Sequence, residues 1–457
     1  VHFSELPNIN SLLEHKLFYG LSAERVKRAA RAYVQGLRDS MLSGSLGAIP
    51  SLDECAQHVL SALEADASLS LRGLVNATGV VLHTNLGRAP LGMEIYASAA
   101  GVFGGYCNLE YDFNTGQRGS RHSHIEKLIC ELTGAQAAMI VNNNSAAAML
   151  MLGAMAENKG VAISRGELVE IGGSFRVPEI IEHSGARLIE IGSTNKTHLS
   201  DYAKAVKNKG AEVLLKVHAS NYEIVGFTKS VSISELAKFG AENDLPVFYN
   251  MGSCFLIDPQ LIGIRDGETA RSAIEAGADL ICFSADKLIG STQAGIIAGR
   301  SDYISEMKQH PLARALRPDK VTLSVLESTL KLSLYPEEAI RQIPVLSMLA
   351  VRPAELLKRA QALAKGLEQV CPGWIVEVRE TLDETGGGSM PNVPLHGFGV
   401  ILEPVGISSA ELEEKLRKER IVTRINGGAV IIAVRTILPG DDEIIADTLS
   451  RIFSGSK

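Results

Sequence analysis

The sequence predicts an α/β protein built on a mainly parallel sheet, with a small helical segment before it and a small α/β segment after it. Three observations lead there. From about residue 72 to 300, short apolar runs alternate with amphipathic helical stretches, the pattern of βαβ units covered on both faces. The first 70 or so residues carry helical periodicity and no strand-like run. The chain is 457 residues long, 46% hydrophobic and 21% charged, which is enough to bury a large core without cross-links.

Taken in order, residues 1–70 read as helices. Ser22 is placed to cap one that carries Arg25, Lys27, Arg28, Arg31 and Arg38, and Arg25, Arg28 and Arg31 recur at helical spacing. Ser51-Leu-Asp-Glu54 has the form of a capping box opening a second helix, to about residue 64. The stretch 43–50 between them is a loop. Buried strands are expected at 137–141, 160–164, 186–191, 213–217, 246–249, 280–283 and 295–298, separated in several places by helices near 123–133, 145–157, 233–243 and 268–276. Residues 300–370 read as mostly helical. A strand at 398–402, a helix at 408–419, a hairpin of 421–425 and 429–437 around Asn426-Gly-Gly428, and a helix at 440–453 follow. The domains expected are 1–70, 71–330 and 331–457.

Composition narrows the function. The formal net charge is −7, which argues against a generally basic nucleic-acid binder and leaves room for a local basic patch such as the Arg25/Arg28/Arg31 face. No apolar run approaches a membrane span, and the opening Val1-His2-Phe3-Ser4-Glu5 lacks the basic-then-apolar form of a signal peptide, so a cytoplasmic protein is expected. The six cysteines form no CxxC pair and read as reduced thiols. His122 and His124 form an HxH pair without the further ligands a zinc set needs, so no metal site is expected.

Four places carry polar groups suited to chemistry. In Phe283-Ser-Ala-Asp-Lys287-Leu-Ile-Gly-Ser-Thr-Gln293, a lysine leaves the end of a buried strand into a loop of small residues. There a desolvated amine becomes nucleophilic and can hold a carbonyl cofactor as a Schiff base, while Ser291 and Thr292 can meet a phosphate. A surface lysine in a turn is the bland alternative for this segment taken alone. Val141-Asn-Asn-Asn-Ser145 runs from a strand into a helix start, where exposed N–H groups favour a phosphate; an ordinary cap by Asn144 or Ser145 is the alternative. Asn250 ends a strand at a position where a pyridine nitrogen would need a partner. Arg314 and Arg317 lie three apart and could hold an anion together, or belong to a solvated helix.

Longer segments carry a resemblance. NATGVVLHTNLGRAPL (76–91), NLEYDFNTGQRGSRHSHIEKL (108–128), VNNNSAAAML (141–150), SRGELVEIGGSFRVPEI (164–180), STNKTHLSDY (193–202), LLKVHASNYEIVGFT (214–228), SADKLIGSTQAGII (284–297) and HPLARALRPDKVTLSVLESTL (310–330) closely resemble the bacterial selenocysteine synthases, the L-seryl-tRNA(Sec) selenium transferases. The resemblance implies a fold-type-I enzyme dependent on pyridoxal 5′-phosphate (PLP). It implies conversion of seryl-tRNA(Sec) to selenocysteinyl-tRNA(Sec) with selenophosphate, by elimination of the β-hydroxyl and addition of selenium. By position it implies Lys287 as the PLP lysine, Asp286 as a catalytic group, and Arg88, Arg314 and Arg317 around the selenium donor. The cofactor shell it suggests is Asn143, Asn144, Ser145, Ser174, His218, Asn250, Ser284, Ser291 and Thr292. It further implies tRNA contact by the N-terminal segment, Arg25, Arg28 and Arg31 included. Last, it implies a homo-oligomeric ring of dimers, a decamer by resemblance, with Ser193, Thr194, Asp201 and Tyr222 at the contact between dimers.

The chain also departs from the family's pattern. Asn250-Met-Gly-Ser-Cys254 stands where Asp-Leu-Gly-Ser-Gly is usual, Ser284-Ala-Asp-Lys-Leu-Ile-Gly-Ser-Thr-Gln293 replaces Ser-Gly-Asp-Lys-Leu-Leu-Gly-Gly-Pro-Gln, and Ala433 replaces an acidic residue. A neutral amide at 250 holds a pyridinium proton less well than a carboxylate. These departures leave open a related PLP-dependent lyase or transferase acting on another amino acid, or a catalytically weak tRNA-binding relative.

Overall fold

The basic helix expected near the start runs Ala23–Leu42, and in the computed structural model it packs against a second helix, Leu52–Ala67. The structure describes residues 6–171, 175–265, 267–390 and 393–454. The chain divides into two compact units, Val1–Leu74 and Val75–Lys457. In the first, Val26, Ala30, Val34 and Leu37 recur at helical spacing and meet Cys55, Ala56, Val59 and Leu63, with Leu12 and Phe18 completing the core. Ser51 and Glu54 form the full capping box, worth about 1 kcal/mol. Ser22 does occupy the cap position of the first long helix, but its side chain makes no cap bond.

The second unit holds a seven-stranded sheet: β1 (Ala137–Val141), β2 (Gly160–Ser164), β3 (Arg187–Ile191), β4 (Ala211–Val217), β5 (Val247–Gly252), β6 (Leu280–Ser284) and β7 (Gly295–Gly299). Their order is β1-β7-β6-β5-β4-β2-β3; β7 runs antiparallel to both neighbours and the other pairs are parallel. Alternate residues feed two cores. Met139, Val141, Phe248, Cys282 and Ile297 enter one, and Ala138, Ile140, Tyr249, Ile281, Phe283 and Ile296 the other. Burial on both faces is why these strands read as continuous apolar runs.

A four-stranded antiparallel sheet follows: β8 (Ile375–Glu384), β9 (Pro394–Glu403), β10 (Arg424–Asn426) and β11 (Ala429–Ala433), in the order β8-β9-β11-β10. The helices Pro353–Val370 and Asp441–Ser454 cover it through Leu356, Ala360, Leu363, Leu367, Ile445 and Leu449. β8 has no counterpart in the sequence expectation. It is an edge strand whose charged residues, Glu377, Arg379, Glu380 and Asp383 among them, hide the apolar alternation. The expected 421–425 strand divides: Ile421–Val422 pairs in parallel with Val75–Asn76, and Arg424–Asn426 pairs with β11. The partner strand ends at Ala433 and tightens into a 3-10 turn, Val434–Thr436.

Candidate active site

β5 and β6 end on the same edge of the sheet, and the chain leaving β6 carries the lysine. Lys287 is 4% exposed, and its Nζ donates to the Gly388 carbonyl at 2.9 Å. Burial, then the nearby Arg88 charge, pull its pKa down to about 8, while Asp286 opposes them. About a tenth of this amine is therefore the free base at pH 7, against well under a hundredth for an ordinary lysine, which favours its use as a nucleophile.

Asp286 accepts from Arg88 Nη1 at 2.7 Å. Arg88 follows Gly87 and itself sits at φ 61°, a left-handed conformation that costs a non-glycine residue about 1 kcal/mol or more. Surrounding bonds hold it there. Leu82 N–H donates to the Thr385 carbonyl and Gly79 N–H to the Thr436 hydroxyl, so the segment before Arg88 is clamped to the C-terminal sheet.

The helix after β1 spans Asn144–Met155, and its cap is Asn143, which accepts from Ala146 N–H at 2.8 Å. This corrects the expectation that Asn144 or Ser145 caps it. Asn144 is thereby free to reach across the sheet edge. Its Nδ2 donates to Asn250 Oδ1 at 2.9 Å, and its own Oδ1 is buried without a partner. Asn250 also accepts from Gly252 N–H and, through its carbonyl, from His218 N–H. His218 Nδ1 lies 3.8 Å from Glu268, which accepts from the Tyr249 hydroxyl. Burial is the main influence on His218 and lowers its pKa, so the ring is neutral at pH 7.

The remaining expected shell is dispersed. Ser284 is buried at the end of β6. Ser291 is buried and accepts from the Thr329 hydroxyl at 3.0 Å, and Thr292 is half-buried beside it. Ser174 lies outside the described residues. Cys254 is buried, which pushes its thiol well above the ordinary range and makes it inert.

The arginines fall into two groups. Arg88 is beside Lys287. Arg317 donates to the Arg314 carbonyl and to Glu110, and the Leu316 carbonyl accepts from Asn142 N–H at the end of β1. Among the described residues no hydrogen bond or ion pair joins Arg314 or Arg317 to Arg88. His122 Nδ1 accepts from Ile140 N–H, and His124 Nε2 lies 3.1 Å from the Asn108 carbonyl, so the HxH pair is taken up by backbone.

Thr194 and Tyr222 meet at Gly166. The Tyr222 hydroxyl donates to the Gly166 carbonyl, and the Thr194 carbonyl lies so close to Gly166 that a Cβ there would meet it at 2.6 Å. Ser193 donates to the Lys196 carbonyl, and Asp201 caps the next helix by accepting from His198 N–H. In the first unit, Arg25 and Arg28 both reach Asp66, at 3.5 and 3.0 Å, while Arg31 is exposed.

Sequence reasoning missed the loop of 385–390. Gly388, at φ 81°, brings its carbonyl onto Lys287, where a Cβ would lie 2.9 Å from Nζ. Ser389 is buried with its hydroxyl 3.4 Å from that of Ser253. The three consecutive glycines were the available signal. A cleft of about 1240 Å³ opens beside them, lined by Lys216, His218, Tyr249, Ser253, Leu288 and Ser389 among others.

The fold resembles a solved D-glucosaminate-6-phosphate ammonia-lyase with a TM-score of 0.58 at 20% identity, over 84% of this chain and 97% of that one. L-seryl-tRNA(Sec) selenium transferases of Geobacter metallireducens and Moorella thermoacetica are each 43% identical. The first match covers 98% of this chain and 99% of the relative, the second 99% and 97%. Residues 74–438 match the family described as SelA, L-seryl-tRNA selenium transferase, so the chain belongs to that family.

Proposed function

We propose that this protein is a PLP-dependent L-seryl-tRNA(Sec) selenium transferase, which replaces the seryl β-hydroxyl with selenium taken from selenophosphate. The observation that carries the proposal is Lys287: a buried amine with its pKa drawn down to about 8, just past the end of a buried strand and inside the span 74–438 that matches the family.

The residues present fit PLP. A nucleophilic amine, the first turn of the helix Asn144–Met155, and the unpartnered Asn144 Oδ1 and Ser220 Oγ supply the donors and acceptors such a group needs. Lys287, Asn143, Asn144, Ser145, His218, Asn250, Ser284, Ser291 and Thr292 would hold it, with Ser174. PLP, when bound, withdraws electrons from the serine α-carbon so that the β-substituent can leave. Lys287 Nζ takes and returns the α-proton. Asp286 keeps Arg88 in place through its 2.7 Å bond. Arg88, Arg314 and Arg317 bind the anionic donor with forked donors that stay charged. Asn250 would offer the ring nitrogen a neutral amide where a carboxylate would hold its proton more firmly.

Residues 1–70 serve tRNA binding through Arg25, Arg28 and Arg31, 71–330 hold the cofactor, and 331–457 form the small α/β domain over the site. The protein assembles as a cytoplasmic ring of dimers, a decamer, through Ser193, Thr194, Asp201 and Tyr222. Among the described residues no helix is long and apolar enough to cross a membrane.

The test is direct. The protein with PLP, seryl-tRNA(Sec) and selenophosphate should yield selenocysteinyl-tRNA(Sec), and Lys287→Ala should not. Absence of product with the unaltered protein would refute the activity.

A further inference from the structure

Glu110 is not among the residues proposed to hold the cofactor or the donor, yet three guanidinium groups converge on it. Arg121 donates Nε and Nη2 to Oε1 at 3.0 and 2.6 Å. Arg118 Nη2 donates to Oε2 at 2.7 Å. Arg317 Nη1 reaches Oε1 at 3.4 Å. Local structure brings them together. Residues 110–119 fold back on themselves, with Tyr111 bridged to Arg118 and Gly119 N–H donating to the Glu110 carbonyl. Arg121 opens the 3-10 turn Arg121–His124, and its Nη1 donates to the carbonyl of Pro318, the residue after Arg317, at 2.5 Å.

Three like charges packed this closely repel one another. One carboxylate offsets one of them and leaves a residual charge of about +2, in a protein whose formal net charge is −7. Arg121 lowers the Glu110 pKa more than burial raises it, so the carboxylate stays ionised. The contacts are unequal. Arg121, 13% exposed, is fixed from two sides, whereas Arg317, 29% exposed, touches Glu110 with one nitrogen at the longest of these distances. Most of the Arg317 donors therefore remain available to a ligand.

We infer that Glu110 is a positioning residue for the selenium donor: it holds Arg121 and Arg317 together before the anion arrives, so that the two guanidinium groups meet its phosphate as a preformed pair. This rests on the proposed role of Arg317. Preorganisation matters because a free arginine loses much rotamer freedom when it binds, and mutual repulsion would splay an unneutralised pair.

The experiment uses the full-length, cofactor-loaded protein, with inorganic phosphate as the probe in calorimetry, and separate KM values for selenophosphate and seryl-tRNA(Sec). Glu110→Gln should weaken phosphate binding about tenfold and raise the selenophosphate KM in step. The seryl-tRNA KM should not move, and a merely structural defect would move both. Equal or tighter phosphate binding would overturn the inference, since the added positive charge alone favours the anion. Arg121→Lys, which keeps the charge and loses the fork, should weaken phosphate in the same direction; unchanged affinity would also overturn it, and this variant decides the matter where Glu110→Gln does not fold. Arg317→Ala separates the two levels. Lost phosphate affinity there with none lost in Glu110→Gln sinks the positioning role alone, and no loss in Arg317→Ala sinks the donor role of Arg317 itself.

Discussion

Two arginine–aspartate pairs in the second unit show what burial does to the same chemistry. Arg435 and Asp383 are 3% and 0% exposed as side chains, and each makes several hydrogen bonds. Arg435 donates to Asp383 at 2.9 Å and to the Met348 and His396 carbonyls at 2.7 Å each, while Asp383 also accepts from Thr381 and Arg424. Arg88 and Asp286 are 30% and 12% exposed, share one bond, and rest on a left-handed backbone. The first pair is closed to ligands and ties β8, β9 and the turn after β11 to the helix Pro344–Ala350. The second faces the lysine and keeps unused donors.

The largest effect should come from breaking the closed pair. Asp383→Asn leaves the Arg435 guanidinium buried without a counter-charge, which costs about 3–5 kcal/mol. Denaturant unfolding followed on the C-terminal sheet should show it. A midpoint within error of the parent would mean that Arg435 rearranges to solvent.

Lys287 gives the next effect, through pH. Its folded pKa of about 8 lies below the ordinary 10.5, so between those values the unfolded chain binds the proton and the folded chain does not. Stability of the cofactor-free protein should therefore rise with pH across that window and fall again as pH drops through 8. The difference amounts to roughly 3 kcal/mol relative to Lys287→Met. Parallel curves for the two proteins would show that the amine is not desolvated.

The open pair should separate stability from rate. Asp286→Asn should leave stability within about 1 kcal/mol, since the pair is partly solvated. It should lower kcat/KM roughly 100-fold, because Arg88 loses its anchor. Equal losses of stability and activity would make it a structural pair like the first.

Much of this was legible in the sequence, and what was not has a physical cause. The seven central strands are buried on both faces and announce themselves as apolar runs, while β8 is half solvated and does not. Lys287, Asn250 and Asn144 could be placed at strand ends because a parallel sheet gathers its strand ends on one edge. Gly388 and Asp383 could not, because Lys287 and Arg435 lie 101 and 52 residues away, and nothing local ties Glu110 to Arg317, 207 residues on. The cap at Asn143 was missed because three adjacent asparagines offer three equivalent caps, and only the Asn144–Asn250 bond decides among them.

A third aspartate extends the comparison to the fully solvated limit and should give the smallest change in stability. In the first unit, Asp66 draws both Arg25 and Arg28, with all three side chains about half exposed or more. Asp66→Ala should alter stability by less than about 1 kcal/mol, since exposed pairs contribute little. Its effect on binding should be larger than on folding. Removing the carboxylate frees two guanidinium groups beside Arg31, so tRNA affinity should rise severalfold and its salt dependence should steepen. Filter binding at several salt concentrations would measure both. Unchanged affinity and slope would assign this basic face to solvent and move the tRNA contact elsewhere on the chain.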